Sequence, residues 1–400
     1  MRIRRGLLLV AALLPVLGTA LLAAPMAASA RTHHAMSPPR TLASGVTYST
    51  FRFPSKTYPE VIRVVTIAPS ASVMPFVSLS NDQVAEPAAR DRLERTSAAC
   101  LRRQCVAGVN GDFFCTSAHC PKDIDEPEGG IVSNGRMLRS PYSIGWEEQQ
   151  LSFDANGCPQ PPQPLTWSGS LTSGGTTLAL DGVNVDRHSG QAVLYDAAYG
   201  PAAPTRTAGV DLVLRLDDTD WLGDLSPAPV TATPVSLTAK QGGFPLQPGS
   251  GFVAISASGA KAKALQAMWA AWSPGQQMQL QLDTAVPVTN SIGGKPLLVQ
   301  DGAYTGQWDN RAEVARTLVA WKPDCTRMLI TVDGPSKASR GMSMPQEAAF
   351  AIALGATTAF GLDGGASTTL VGPGGALLNK PSYTGAGDRP TASSLLFVAA

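Results

Sequence analysis

Alternating apolar and polar positions dominate the chain, and helical spacing is rare. Val46 to Phe53, Val61 to Ile67 and Val73 to Leu79 alternate as strands do, and Gln277 to Leu282 does so cleanly. Cys105 to Val109, Tyr142 to Phe153, Leu178 to Val185, Ala192 to Tyr195, Gly209 to Leu216 and Gly251 to Ser256 read as further strands, with a hairpin over Ile131 to Leu138. Ala197 to Thr207 and Asp217 to Pro234, rich in Pro, Ala and Asp, read as loops. Three stretches have helical character. Glu86 to Leu101 mixes small and apolar residues with charges. Ala260 to Trp272 puts Leu265, Met268, Trp269 and Trp272 on one face, a stripe that suits a core better than a ligand. Pro345 to Leu354 is Ala-rich. The pattern predicts an α+β fold, with β-rich mixed sheets and a few helices.

The most informative stretch is Met328 to Leu370. A short apolar run stops at Asp333-Gly334, and a second one, Thr357 to Leu362, stops at Asp363-Gly364-Gly365. Between them Ser343 and Gln346 have the spacing of a capping box, and Gly355 sits where a helix would be capped at its carboxyl end. Two strands joined by a helix lie parallel, so Asp333 and Asp363 are expected at one sheet edge, beside the positive end of the helix. Each Asp-Gly pair is also an ordinary turn signal. Upstream, Asn110-Gly111 would mark a hairpin, but the acid and two aromatics that follow, Asp112, Phe113 and Phe114, could equally form the floor and wall of a polar cleft.

Composition narrows the class. Charged residues make up 15% of the chain with a net charge of +1, and no basic run occurs, so nucleic acid is not an expected partner. Gly and Pro, 39 and 32 in number, favour a loop-rich β protein over a helical bundle. Arg2, Arg4 and Arg5, an apolar stretch and Ala28-Ser29-Ala30 form an export signal, with cleavage expected after Ala30. No later segment is expected to span a membrane in the mature protein, which should be secreted. Six cysteines in an exported chain suggest disulfides; spacing favours Cys100–Cys105, Cys115–Cys120 and Cys158–Cys325. A zinc site on Cys115, His119 and Cys120 is the rival, though it lacks paired ligand spacing. The expected organisation is a signal peptide over 1–30, a flexible leader over 31–45, an N-terminal part over 46–164, a β-rich middle region over 165–290 and a C-terminal part over 291–398. The Pro-rich passage Cys158 to Pro164 is the expected interior linker.

Taken in order, several motifs resemble the phosphodiester glycosidase family. They are NGDFF from Asn110, GGIVSNG from Gly129, IGGKPLLVQDG from Ile292, ARTLVAW from Ala315 and TVDG from Thr331. RGMSMPQEAA from Arg340, LDGGASTTLV from Leu362 and NKPSYTGAGDRPTASSLLFV from Asn379 complete the set. Three departures stand out: Ala366 within the glycine-rich loop, Gly361 before Leu362, and Pro335 after Asp333-Gly334. The resemblance implies hydrolysis of a sugar-1-phosphate diester, on a wall polymer, capsule or glycolipid. Such a site needs carboxylates for the oxocarbenium-like centre and cations for the phosphate. The candidate catalytic residues are Asp112, Asp333, Asp363 and Glu347. The candidate substrate ligands are Asn110, Arg316, Arg340, Gly364, Gly365, Ser367 and Thr368. No histidine falls in these motifs, which weighs against a Ser-His-Asp hydrolase. Two alternatives stand beside it: a non-catalytic carbohydrate- or polyanion-binding protein, and a metal-dependent phosphodiesterase in which Asp112, Asp333 and Asp363 hold a divalent cation. Calcium is the one cofactor the sequence leaves open.

Overall fold

A computed structural model describes residues 33–53, 55–57, 59–84, 93–116, 125–141, 149–205, 208–239 and 242–400. The expected signal peptide, His119 and Cys120 lie outside them. The protein is β-rich with few helices, as the alternation predicts.

The largest sheet has the strand order His34–Ala35, Val46–Phe53, Glu60–Ile67, Arg327–Val332, Arg316–Trp321, Thr358–Gly361, Leu297–Gln300 and Ala303–Tyr304, with Arg40–Ala43 added on Val46–Phe53. Its central strands are apolar on both faces, because both are covered. On one face Ile62, Val64, Leu318, Ala320, Ile330 and Val332 pack against Ala348, Phe350 and Ala351 of the helix Met344–Ala353. On the other, Val65, Ile67, Val319, Leu329 and Phe360 meet Val77, Val109, Ile131, Leu151, Ile292, Leu395 and Phe397 of two four-stranded sheets. One of these is ordered Gln149–Phe153, Asn290–Gly294, Ile131–Ser133, Arg136–Arg139. The other is ordered Leu370–Val371, Ala107–Asn110, Ser393–Ala399, Val73–Leu79.

All strands of a separate eight-stranded sheet come from Trp167 through Thr284. It has its own core, in which Leu265 and Met268 of the helix Gly259–Ala271 pack on Leu212, Leu214, Val253 and Ile255. The Leu265 and Met268 stripe is therefore core. Two of these strands, Trp167–Ser173 and Val230–Ala239, were not legible in the alternation; Asp217 to Pro234 had read as loop as far as Pro234.

Other local expectations are corrected. Of the helix expected over Glu86 to Leu101, residues 86–92 lie outside those described; Thr96–Arg103 is helical, while Glu94–Arg95 pair with Pro390–Thr391 as a short two-stranded sheet. Part of the expected leader forms strand pairs with Val46–Phe53. The Pro-rich passage after Cys158 lies along the strand Gln149–Phe153, bridging Phe153 with Pro159 and Gln150 with Gln163, so it does not run free as a linker. The disulfides Cys100–Cys105 and Cys158–Cys325 form as expected. The third expected pairing, Cys115–Cys120, and the zinc alternative involve residues outside those described.

Candidate active site

The strand–helix–strand unit forms with one change. Gln346 accepts from the Ser343 N–H at 2.8 Å and caps the helix Met344–Ala353, and Gly355 follows it with a φ of 87°. Arg327–Val332 and Thr358–Gly361 are both antiparallel to Arg316–Trp321, so they point the same way but with that strand between them. Four chain segments meet the sheet at the same edge in consequence. These are the ends at Asp333 and Asp363 and the starts of the strands at Arg316 and, after Lys295-Pro296, at Leu297. The amino end of the capped helix lies over this edge, where Met344 and Glu347 join Lys295, Arg316, Thr317, Asp363 and Gly364 in lining a cleft.

Glu347 is 3% exposed, and its Oε1 has no hydrogen-bond partner. A glutamate in the first turn of a helix is favoured as the anion by the dipole, but burial dominates and raises this carboxyl to about 8. Arg316 opposes the rise only partly. Its Nε is 3.8 Å from Glu347 Oε2, beyond hydrogen-bonding distance, and the guanidinium donates instead to the Met342 and Ala312 carbonyls at 3.2 and 3.1 Å. Glu347 therefore keeps its proton at neutral pH.

Asp363 leaves the sheet on a loop fixed from below by Asn110. The Asn110 side chain donates to the Asp363 carbonyl at 2.7 Å and accepts from Thr317 Oγ1 and the Thr369 N–H at 2.8 and 3.0 Å. Asn110 is fully buried and ties this loop to the strand beneath it. It does not turn a hairpin; the strand Ala107–Asn110 pairs with Leu370–Val371 and Ser393–Ala399. Asp363 is only partly covered as a residue, yet crowding around its carboxyl raises it to about 6. Hydrogen bonding by Ser367 and the charge of Arg389 hold it from rising further. Ser367 in turn accepts from Arg389 Nη1 at 3.1 Å, and the Arg389 guanidinium lies 4.9 Å from the centre of the Phe114 ring.

Asp112 sits one step from this loop, since the Asp363 N–H donates to the Gly111 carbonyl at 3.1 Å. It is 2% exposed and accepts from the Gly129 N–H at 2.6 Å. Burial raises it to about 7; the negative charge of Glu128 adds to the rise, and Lys295 opposes it. The carboxylate fits only because its neighbours lack side chains: a Cβ on Gly293 would come within 2.4 Å of Asp112 Oδ2. Lys295 bonds Glu128 at 2.6 Å and lies 4.9 Å from the Phe113 ring centre.

The structure does not gather all three aspartates. Asp112 and Asp363 adjoin through backbone, whereas Asp333 pairs with Arg63 at 3.1 Å and accepts from the Lys380 N–H at 3.1 Å, outside the lining of the cleft. Burial raises the Asp333 carboxyl, with Arg63 and Lys380 opposing. Arg340 is exposed on the loop before the helix and is not part of the cleft wall, although its N–H holds the Pro59 carbonyl at 2.7 Å. Gly364 and Gly365 line the cleft; Ser367 and Thr368 are fully buried beneath it. Among the described residues no three His, Cys, Asp or Glu side chains lie close enough to share one ion.

Lys295, Arg389 and Glu128 did not stand out as site residues in the sequence. Lys295 and Arg389 lie inside shared motifs, and Glu128 directly precedes the Gly129-Gly130 pair, so charged residues flanking the glycine motifs were the signal available.

A β-rich fold with a charged cleft at a sheet edge defines the class. Within it, residues 232–398 match the model of the phosphodiester glycosidase family, so this part of the chain bears the resemblance its motifs implied. Asn110 and Asp112 lie before the matched region.

Among solved structures, an exported protein of Burkholderia pseudomallei is 25% identical with a TM-score of 0.62, covering 86% of this chain and 74% of that one. A hypothetical protein from Synechocystis is 18% identical with a TM-score of 0.61, covering 90% of this chain and 64% of that one, a likeness of fold. The catalytic domain of the zebrafish N-acetylglucosamine-1-phosphodiester alpha-N-acetylglucosaminidase, auto-inhibited by its pro-peptide, is 15% identical with a TM-score of 0.45. That alignment covers 92% of this chain and 88% of the zebrafish one. No curated protein matches the chain.

Proposed function

We propose that the protein is an exported hydrolase that cleaves a sugar-1-phosphate diester at the bond between the anomeric carbon and oxygen. The observation that carries this reading is one cleft lined by two carboxyls of unlike pKa, Glu347 at about 8 and Asp363 at about 6, together with Lys295 and Arg316. Carboxyls pushed apart in this way can divide acid and base roles at one pH. The family match over 232–398 covers all four residues and supports the same reaction class. The disulfides and the likeness to an exported bacterial protein support secretion.

In this mechanism Lys295 and Arg316 hold the phosphate. The bond from the anomeric carbon to the phosphate oxygen breaks, and the electron pair leaves with the phosphate monoester. Ionised Asp363 stabilises the oxocarbenium-like centre and takes a proton from the water that attacks it. Glu347 can give its proton to the departing oxygen. That help is modest, because a phosphate monoester is already a stable leaving group. Asp112 acts from below, through the backbone it fixes. Asp333, Arg340 and the buried Thr368 have structural roles around the cleft.

Turnover of a panel of sugar-1-phosphate diesters in oxygen-18 water tests the reading. Label is expected in the released sugar, and Asp363→Asn is expected to lose turnover roughly a hundredfold or more while remaining folded. Label in the phosphate, or full turnover by a folded Asp363→Asn protein, would overturn it.

A further inference from the structure

A second cavity, of about 410 Å³, shares no lining residue with the active-site cleft. Its walls come from three places. The edge strand Val73–Leu79 of one four-stranded sheet contributes Phe76, and the edge strand Arg136–Arg139 of the other contributes Leu138. Loops of the middle region add Leu222 and Pro248. Hydrogen bonds tie these walls together. The Asn290 side chain, 4% exposed, accepts from the Val77 and Asn134 N–H groups, both at 3.2 Å. The Val84 N–H donates to the Ala198 carbonyl at 2.7 Å, and Asn184 Nδ2 donates to the Leu138 carbonyl at 2.9 Å. A mainly apolar hollow with a few convergent polar groups, at a junction of sheets and within roughly 300–1,000 Å³, is the usual form of a small-ligand site. The strands Ile131–Ser133 and Asn290–Gly294 run from this cavity towards Gly129 and Lys295, which puts the cleft roughly 15 Å away at their far ends.

We infer that this cavity binds a short neutral saccharide, as a docking site for glycan apart from the reaction centre. Its charged groups come as ion pairs. Arg103 bonds Asp82, and its guanidinium lies 4.8 Å from the Phe76 ring centre. Arg136 Nε bonds Asp224 at 2.7 Å, and the terminal nitrogens of Arg136 make no hydrogen bond among the described residues. All four side chains are partly exposed. A carboxylate or phosphate entering here meets the charges of Asp82 and Asp224, and an ammonium meets those of Arg103 and Arg136. The balance disfavours either sign. A sugar hydroxyl donates and accepts at once, which suits an arginine set beside an aspartate, with the Ser133 and Asn134 groups also on the lining. The C–H face of the same ring can cover Leu138, Leu222 and Pro248, whereas a plain hydrocarbon would leave the Arg136 nitrogens unpaired. The inference stands apart from the hydrolase reading, because binding is measured without turnover.

The test probes the purified full chain on an array of neutral oligosaccharides, with uronic-acid and amino-sugar counterparts beside them. Binding of the strongest ligands is then measured by calorimetry on wild type, Leu222→Trp, which fills the cavity, and Arg136→Gln, which removes the free guanidinium nitrogens. Neutral members are expected to bind best, and each variant should weaken them roughly tenfold or more while unfolding at a temperature close to that of wild type. Turnover of a methyl sugar-1-phosphate diester in the cleft should stay within about twofold of wild type in both. No binding by any neutral member, tighter binding of the acidic or basic members, or unchanged binding by the folded variants would each overturn the assignment. Should one variant fail to fold, the other decides. Cavity-dependent sugar binding without turnover of any diester leaves this site standing and removes the hydrolase reading; turnover without such binding does the reverse.

Discussion

Replacing Glu347 with glutamine asks whether the cleft holds a neutral carboxyl. An ordinary glutamate in an unfolded chain gives up its proton near pH 4.3, whereas folded Glu347 holds its proton to about 8. Between those values the folded state binds a proton that the unfolded state has released. Stability from this group is therefore fully present below the unfolded value and is lost as pH rises towards 8. The loss is about 1.4 kcal/mol per pH unit, or roughly 4 kcal/mol from pH 5 to pH 8. Asp112, Asp333 and Asp363 are also raised and fall in the same direction, so wild type alone cannot separate them. Glutamine keeps the size and polarity of the side chain and removes the titration. The measurement is denaturant unfolding of wild type and Glu347→Gln at several pH values in this range. The variant should gain on wild type steadily, by roughly 3–4 kcal/mol between the ends of the series. Parallel curves would mean that Glu347 is ionised in the folded protein, paired with Arg316 more tightly than their 3.8 Å separation implies, and the acid–base division in the cleft would fall with it.

On the proposed substrate class, kcat/KM should rise as Asp363 ionises through about pH 6 and fall as Glu347 deprotonates through about 8. The alkaline fall should vanish in Glu347→Gln, and a profile unchanged by that substitution would refute the assignment. Gly293→Ala should destabilise the protein by about 1–3 kcal/mol and impair turnover, because the added Cβ meets Asp112 Oδ2; a neutral substitution in both assays would show that the pocket around Asp112 yields. Cys325→Ser opens a link between residues 167 apart in sequence and should cost about 2–5 kcal/mol in denaturant unfolding. Asn110→Ala should lower both stability and turnover, since it frees the Asp363 loop and strands the Thr369 N–H; intact turnover would show that the loop is held by other contacts.

Local rules fixed part of the site before any tertiary contact was known. Ser343, Gln346 and Gly355 bound the helix because caps depend on a few neighbouring residues. The apolar runs ending at Asp333 and Asp363 became strands of one direction because a helix joins them. Glu347 and Asp363 then met in one cleft through that short unit. Trp167–Ser173 and Val230–Ala239 escaped notice for a related reason: Ser, Thr and Pro blur the alternation of strands whose stability comes from pairing across a sheet.

Tertiary structure alone decided the rest. Arg316–Trp321 pairs between the two aspartate-bearing strands, and that choice depends on covering both sheet faces, which no local pattern encodes. The same arrangement gave Asp333 to Arg63, 270 residues away in sequence, and brought Arg389 to Ser367 and Asp363. The pKa values that divide the cleft carboxyls follow from burial. Burial belongs to the packed molecule: the chain names its acids, and only the fold decides which of them keep their protons.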